Sequence, residues 1–246
     1  MTVVFVHGVP NTAAVWDPVR SLLTDHNTIA VKMPGFGCDG PADFSATRYA
    51  YRDWLIKQLE AMHEPVDLVG HDQGSVISQG VILARPDLVN SWTLGGGVCA
   101  AEFLWHPQAR IWQTSELGEQ WRDHFLGLEM DARAAILAAA GVPQIDAERV
   151  AAEMDRRMLD HILPLYRSEP YLEDWAFDPT STYPPGLVLW GSEDPYQATE
   201  FGRSAAAAAG ARFHELACGH WWQVERTEEV AAELTSHWSD SGAAAA

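Results

Sequence analysis

The chain has 246 residues, of which 47% are hydrophobic and 20% charged, and a formal net charge of −18 at pH 7. This balance belongs to a folded globular protein, and the negative charge would repel nucleic acid and anionic membrane surfaces rather than collect them. The length suits one large core or two small ones, no apolar run reaches bilayer length, and Cys38, Cys99 and Cys218 lack metal-ligand spacing, so the expectation is reduced thiols, no metal, no cofactor, and a small neutral or apolar molecule as partner.

The first six residues are apolar, but no basic region precedes them and His7, Gly8 and Pro10 interrupt at once, so they read as a strand over 2–6 rather than a signal peptide, and a cytoplasmic protein is expected. Helical patterning follows over 12–23, a weaker strand over 27–32, a helix over 47–62, a strand over 66–70, a helix over 75–84 and a weaker strand over 88–94. From about residue 100 to 182 helices succeed one another without strands, rich in Trp and Ala, with a loop around 141–145. A strand over 187–190, a helix over 196–209, a weaker strand over 211–216 and a helix over 227–238 complete the pattern. In that last helix Val230, Leu234 and Trp238 share one face, and the Ala-rich end over 241–246 is expected to fray. Alternating strands and helices predict an α/β fold with a mostly parallel sheet covered on both faces. Residues 1–99 and 183–246 form its core domain, and residues 100–182 form an inserted helical domain.

The chemistry concentrates at strand ends. Gly70-His71-Asp72-Gln73-Gly74-Ser75 leaves a strand and opens a helix. Glycines two residues before and after the centre let strand and helix approach, and such a turn lifts its central side chain, Asp72, toward a pocket. Ser75 falls on the first helical turn without flanking glycine spacing and reads as structural. An aspartate here also serves as a helix N-cap, and the hexapeptide alone does not separate the two uses. Downstream, Trp190-Gly191-Ser192-Glu193-Asp194-Pro195 offers acids after a strand and Ala217-Cys218-Gly219-His220-Trp221-Trp222 offers a histidine after the last one. Nucleophile, acid and histidine therefore stand in the order used by hydrolases with a strand-turn-helix nucleophile. Upstream, His7-Gly8-Val9-Pro10 closes the first strand, and the amides of Val9 and Gln73 are the candidate oxyanion donors.

These segments resemble the epoxide hydrolase and haloalkane dehalogenase branch of the α/β-hydrolase superfamily, whose turn reads Gly-His-Asp-x-Gly. The likeness covers nearly the whole chain through His7 to Pro10, Pro34-Gly35-Phe36-Gly37, the Asp72 turn, Asp194 and Cys218-Gly219-His220-Trp221. It implies the α/β-hydrolase fold with a helical cap over 100–182. It also implies a nucleophilic Asp72 that forms an ester, a His220 that activates water, and an Asp194 that orients the imidazole, with Glu193 and Glu102 as the other acid candidates. Leu163-Pro164-Leu165-Tyr166-Arg167 is similar to the segment in which epoxide hydrolases carry a ring-opening tyrosine, which marks Tyr166 as proton donor. His7, Trp105, His106, Trp112 and Trp221 are the expected substrate contacts, with one or two of Trp105, Trp112 and Trp175 touching the ligand.

The sequence also departs from these families. Gln73 stands where they usually carry an aromatic residue, Val9 where dehalogenases often carry asparagine, and no tyrosine occurs between Tyr51 and Tyr166. Trp105-His106 with Tyr166 is similar to fluoroacetate dehalogenases, yet arginines beside the nucleophile are missing. Relatives usually begin with a β-hairpin, whereas Met1 stands almost on the first strand, so a sheet shorter by about two strands is expected, its edge open to a partner subunit. The expected activity is epoxide hydrolysis to a diol through an aspartyl ester with water as co-substrate. Dehalogenation is the nearest alternative, and a lyase-type or ligand-binding use of the fold is the third.

Overall fold

A computed structural model describes residues 1–244 except 101, 102 and 104. Six parallel strands form one sheet: β1 (Thr2–Val6), β2 (Asn27–Ala30), β3 (Val66–His71), β4 (Val89–Gly95), β5 (Gly186–Gly191) and β6 (Arg212–Leu216), in the order β2-β1-β3-β4-β5-β6. Every residue of β1, β3 and β5 is buried. Alternate side chains point to opposite faces, so both faces must be covered. The edge strands β2 and β6 are half exposed. No antiparallel hairpin occurs among the described residues.

The covering helices are α1 (Asp17–Leu22), α2 (Arg48–Glu60) and α3 (Gln73–Ala84) in the first half. The expected helix over 12–23 divides into a tight turn, Ala13–Trp16, and α1, because Pro18 has no N–H and suits a first helical turn. Helix α2 starts where the Thr47 side chain accepts the Ala50 amide at 3.2 Å. Between β4 and β5 lie α4 (Pro107–Gln113), α5 (Leu117–Gly127), α6 (Met130–Ala139), α7 (Gln144–Glu153) and α8 (Arg156–Arg167), with no strand among the described residues. The loop expected over 141–145 is shorter. Gly141 turns at φ +97° and Pro143 precedes α7, which already includes Gln144 and Ile145. The last helices are α9 (Thr199–Ala209), α10 (Trp222–Glu225) and α11 (Thr227–Ala244). Helix α9 begins three residues later than expected because the amides of Tyr196 and Gln197 are held by Asp194 Oδ1, at 2.8 and 3.3 Å.

The helical segment between β4 and β5 is tied down at several points. Arg48, 4% exposed, lies between the Tyr49 and Trp175 rings and donates to Asp174 at 2.5 Å and to the Tyr171 carbonyl at 3.1 Å. Its amide donates to Ser168 Oγ at 2.8 Å. Gln79 bridges the Cys99 and Trp175 backbones, and Thr12 donates to Glu153 at 3.1 Å.

Gly74 is the tightest joint between α3 and the sheet. A Cβ there would lie 2.2 Å from the Val6 carbonyl oxygen, a backbone atom with nowhere to move. Gly74→Ala should therefore lower the unfolding free energy by about 1–3 kcal/mol. Gly127→Ala, where nothing lies within 4 Å, should leave it unchanged or higher; urea titration of both variants checks the contrast.

Candidate active site

In the strand order β2-β1-β3, the chain steps out to one side of β1 and then returns to the other. The carboxyl ends of β1 and β3 thus face a crevice of the kind where open α/β sheets bind ligands. Asp72 follows β3 with φ 53° and ψ −122°, a strained conformation for an L-residue. Its amide donates to the Gly95 carbonyl at 2.9 Å, and its own carbonyl accepts the Ser75 and Val76 amides. Asp72 occupies the N-cap position of α3, but its side chain makes no capping bond. Instead Oδ1 accepts the Val9 amide at 2.7 Å and the carboxylate also accepts the Gln73 amide. Gly8 makes this approach possible, since a Cβ on it would stand 2.4 Å from Asp72 Cβ and 2.5 Å from Oδ1. Ser75 is structural: its hydroxyl bonds both the carbonyl and the amide of Gly95.

His220 follows β6. Its Nδ1 meets Asp194 Oδ2 at 2.7 Å and its Nε2 lies 3.7 Å from Asp72 Oδ2. The Asp194 side chain is fully buried, whereas that of Asp72 is 17% exposed, so one carboxylate is walled in and the other keeps a free face. Burial disfavours the imidazolium of His220, but Asp194 and Asp72 outweigh it and raise its pKa to about 10. For Asp72 burial acts upward, yet the His220 contact and charge bring the carboxyl below its ordinary value. The resting pair is therefore carboxylate and imidazolium. Behind it, burial lowers His71 to about 4. A neutral His71 donates from Nε2 to the His220 carbonyl at 2.9 Å, while Nδ1 accepts from Gln223 at 3.3 Å. His71 thus holds the backbone of His220.

A cavity enclosing about 560 Å³, including its mouth, opens above these groups. Val9, Asp72, His220 and Trp221 form its floor side, and Tyr166, His106, Trp112, Trp121, Leu137 and Met154 come from the helical segment. No Lys or Arg lines it among the described residues. Tyr166 is buried, its phenol held neutral far above the ordinary range first by burial and then by the Asp72 charge. His106 is lowered to about 4 by burial. Its Nδ1 accepts the Ala109 amide at 3.3 Å, which keeps the ring proton on Nε2.

Two expected contacts lie elsewhere. His7 is wholly buried, with Nδ1 beside the Gly8 carbonyl, Nε2 accepting the Met33 amide at 3.4 Å, and its ring against Phe36. It fixes the turn after β1 and does not line the cavity. Trp105 stands one layer back, its Nε1 donating to the Glu169 carbonyl at 2.9 Å and its ring against Tyr166. Trp175 packs on Gly80 and Arg48, so Trp112 alone of the three tryptophans lines the cavity. The Gln73 side chain also turns away, donating to Glu169 at 2.7 Å. Glu193 is exposed, and Glu102 lies outside the described residues.

Several cavity residues escape the sequence reading, and Tyr196 is the one beside the catalytic histidine candidate. Tyr196 packs on His220 and His106 with ring centroids 4.9 and 4.7 Å away, and its hydroxyl donates to the Ala140 carbonyl. Its place two residues after Asp194 was the available signal, because the Asp194 turn that orients the acid also orients this ring.

The electrostatics of His220 can be read directly. Asp72→Asn removes one of the two flanking charges, so the imidazole should titrate at lower pH than in the parent, as followed by NMR. The raised pKa also carries a stability signature. The contribution of the imidazolium is fully present below the ordinary histidine value of 6.5 and is lost as pH rises toward about 10. The stability of the parent relative to His220→Gln should decline across that window in thermal melts.

Known proteins share this architecture. The (E)-2-((N-methylformamido)methylene)succinate hydrolase of Acinetobacter baylyi is 26% identical over 204 residues, 80% of this chain and 74% of that protein. A thermophilic esterase from Thermogutta terrifontis superposes with a TM-score of 0.78 at 18% identity, covering 98% of this chain and 90% of that one. A haloalkane dehalogenase loop variant from Bradyrhizobium elkanii gives a TM-score of 0.74 at 20% identity, covering 98% and 91%. At such identity these likenesses speak for the fold alone, and they span an esterase and a dehalogenase. The family model described as "Alpha/beta hydrolase family" matches residues 3–233. With nearly its full length inside that model, and with a strained strand-turn-helix at Asp72, the chain belongs to the alpha/beta hydrolase family.

Proposed function

We propose that this hydrolase acts on a small neutral electrophile through a covalent ester on Asp72, and that its substrate is an epoxide opened to a diol. The observation that carries the reading is the division of labour within one carboxylate. Oδ1 is held by the amide of Val9, the carboxylate also accepts the Gln73 amide, and Oδ2 faces His220. The helical segment between β4 and β5 serves as the cap that closes the cavity over it.

Oδ2 of the ionised Asp72 attacks an epoxide carbon, a C–O ester bond forms, and the ring C–O bond breaks toward oxygen. The resulting alkoxide takes the Tyr166 proton, with the Nε2–H of His106 as a second donor in the place of a second tyrosine. Alkylation removes the negative charge of Asp72 from beside His220. The imidazolium loses one of the two carboxylates that held its proton, and that proton restores Tyr166. Neutral His220 then takes a proton from water, and the hydroxide adds to Cγ of the ester. The oxyanion develops on Oδ1, already held by the Val9 amide, with the Gln73 amide as its second candidate donor. Collapse breaks the ester C–O bond, the proton of the added hydroxyl passes to the leaving oxygen to release the diol, and carboxylate and imidazolium return, with Asp194 compensating the imidazolium.

A neutral substrate fits a cavity that no Lys or Arg lines among the described residues and whose imidazolium, His220, is already flanked by Asp72 and Asp194. The relative from Acinetobacter baylyi carries a succinate in its name, and a dianion here would meet the Asp72 carboxylate with no Lys or Arg lining the cavity among the described residues. A second reading, hydrolytic dehalogenation, is favoured by buried N–H donors without partners on cavity residues: Trp112 Nε1, Trp221 Nε1 and Gln108 Nε2.

Intact-mass spectrometry tests the scheme. His220→Gln incubated with a panel of neutral epoxides and haloalkanes should accumulate an adduct mapped to Asp72, and His220→Gln combined with Asp72→Asn should not. Tyr166→Phe should slow epoxide opening by about 10²–10⁴-fold. Diol production by the parent supports the epoxide reading, halide release without diol replaces it by dehalogenation, and an adduct on no probe refutes the aspartyl ester.

A further inference from the structure

Glu169 lies just beyond α8, three residues after Tyr166, and is fully buried. Its Oε1 accepts the Gln73 amide nitrogen at 2.7 Å. Two oxygens on these joined residues, Gln73 Oε1 and Glu169 Oε2, are buried without a hydrogen-bond partner among the described residues. Both are acceptors if Glu169 is ionised, and no donor serves either. A proton on Oε2 resolves both at once, because an amide and a carboxylic acid joined by one N–H to O bond are placed to close a second, O–H to O bond in a planar ring. The remaining N–H of Gln73 is then free for the phenol oxygen of Tyr166, which the Gln73 side chain also reaches.

We propose that Glu169 is a positioning residue for Tyr166. As a neutral acid it clasps the Gln73 amide in a two-bond pair, the amide's other N–H occupies the phenol oxygen, and the phenol's own proton is thereby directed into the cavity. This role rests on the reading of Tyr166 as proton donor. It also accounts for the Gln73 side chain turning toward Glu169.

The surroundings agree. Four titratable groups lie within electrostatic reach of the Glu169 carboxyl: Arg48, Asp72, Cys99 and Tyr166. Burial holds Cys99 and Tyr166 neutral. Arg48 directs its hydrogen bonds to Asp174, Tyr49 and the Tyr171 carbonyl, and none goes to Glu169. Asp72 is negative and opposes a second charge nearby. Burial, the largest influence, accordingly keeps the Glu169 carboxyl protonated far above its ordinary range, against the smaller pull of Gln73 and Arg48.

Glu169→Leu and Glu169→Gln are the test, each built in the His220→Gln background that traps the ester. Styrene oxide needs a proton at its departing oxygen, whereas 1-bromohexane needs none. Glu169→Leu should slow adduct formation with styrene oxide by about 10²-fold and leave that with 1-bromohexane far less affected. Glu169→Gln, which reproduces the two-bond pair without a titratable proton, should restore most of the styrene oxide rate and abolish any alkaline loss due to Glu169. Equal slowing with both probes, no slowing with either, or failure of Glu169→Gln to rescue overturns the positioning role. Absence of adduct with Glu169 intact overturns the aspartyl-ester reading instead. A measurement independent of turnover follows from linkage. Unfolded Glu169 ionises near 4.5 while the folded residue stays protonated, so the unfolded state gains as pH rises. Urea titrations should show the parent losing stability relative to Glu169→Gln above that pH; a gain would indicate an ionised Glu169 paired with Arg48 and refute the proposal.

Discussion

The amide of Val9 and the carboxylate of Asp72 meet at 2.7 Å across the carboxyl ends of two neighbouring strands. That contact requires β1 and β3 to be adjacent and in register, which their pairing of Val6 with Gly70 ensures. It also requires Gly8, since any side chain there would occupy the position of the carboxylate. The strained backbone of Asp72 persists because its peptide groups are bonded to Gly95, Ser75 and Val76, so the sheet and α3 together overdetermine it. Everything proposed for this site assumes a carboxylate with one oxygen fixed and the other available.

Charge is arranged around that carboxylate with economy. Of the four histidines near the strand ends, His7, His71 and His106 are kept neutral by burial, while His220 alone holds its proton because carboxylates stand on both sides of it. The same low dielectric that makes lone imidazoliums costly makes the flanked one persistent. In the proposed reaction, alkylation of Asp72 would remove one member of this charge pair, and the resulting change in His220 basicity would separate the two halves of the reaction.

The helical segment between β4 and β5 presents aromatic rings and neutral polar groups to the cavity. Tyr166 and Trp112 share a ring contact at 5.0 Å, and Trp105 buttresses Tyr166 from behind at 5.3 Å. Tyr196 belongs to the turn after β5 yet reaches the Ala140 carbonyl in the loop between α6 and α7, so the core itself holds the roof of the cavity. The pair of Gln73 and Glu169 joins the turn at the nucleophile to the end of α8 in the same way.

Local patterning in the sequence determines the alternation of strands and helices, the glycine-flanked turn at Asp72, and the chain order of Asp72, Asp194 and His220. Each of these is written within a few neighbouring residues, as side-chain periodicity or as a backbone angle that glycine permits. The helix-cap alternative for Asp72 was decided only by the folded chain, where the side chain turns to Val9, 63 positions away. Tertiary structure alone brought Tyr196 into the cavity, set His71 behind His220, paired Gln73 with Glu169 across 96 positions, and moved His7 and Trp105 out of the lining. The physical reason is common to all of these. Which way a side chain faces depends on how a helix or turn is rotated against segments distant in sequence, and no local pattern encodes that rotation.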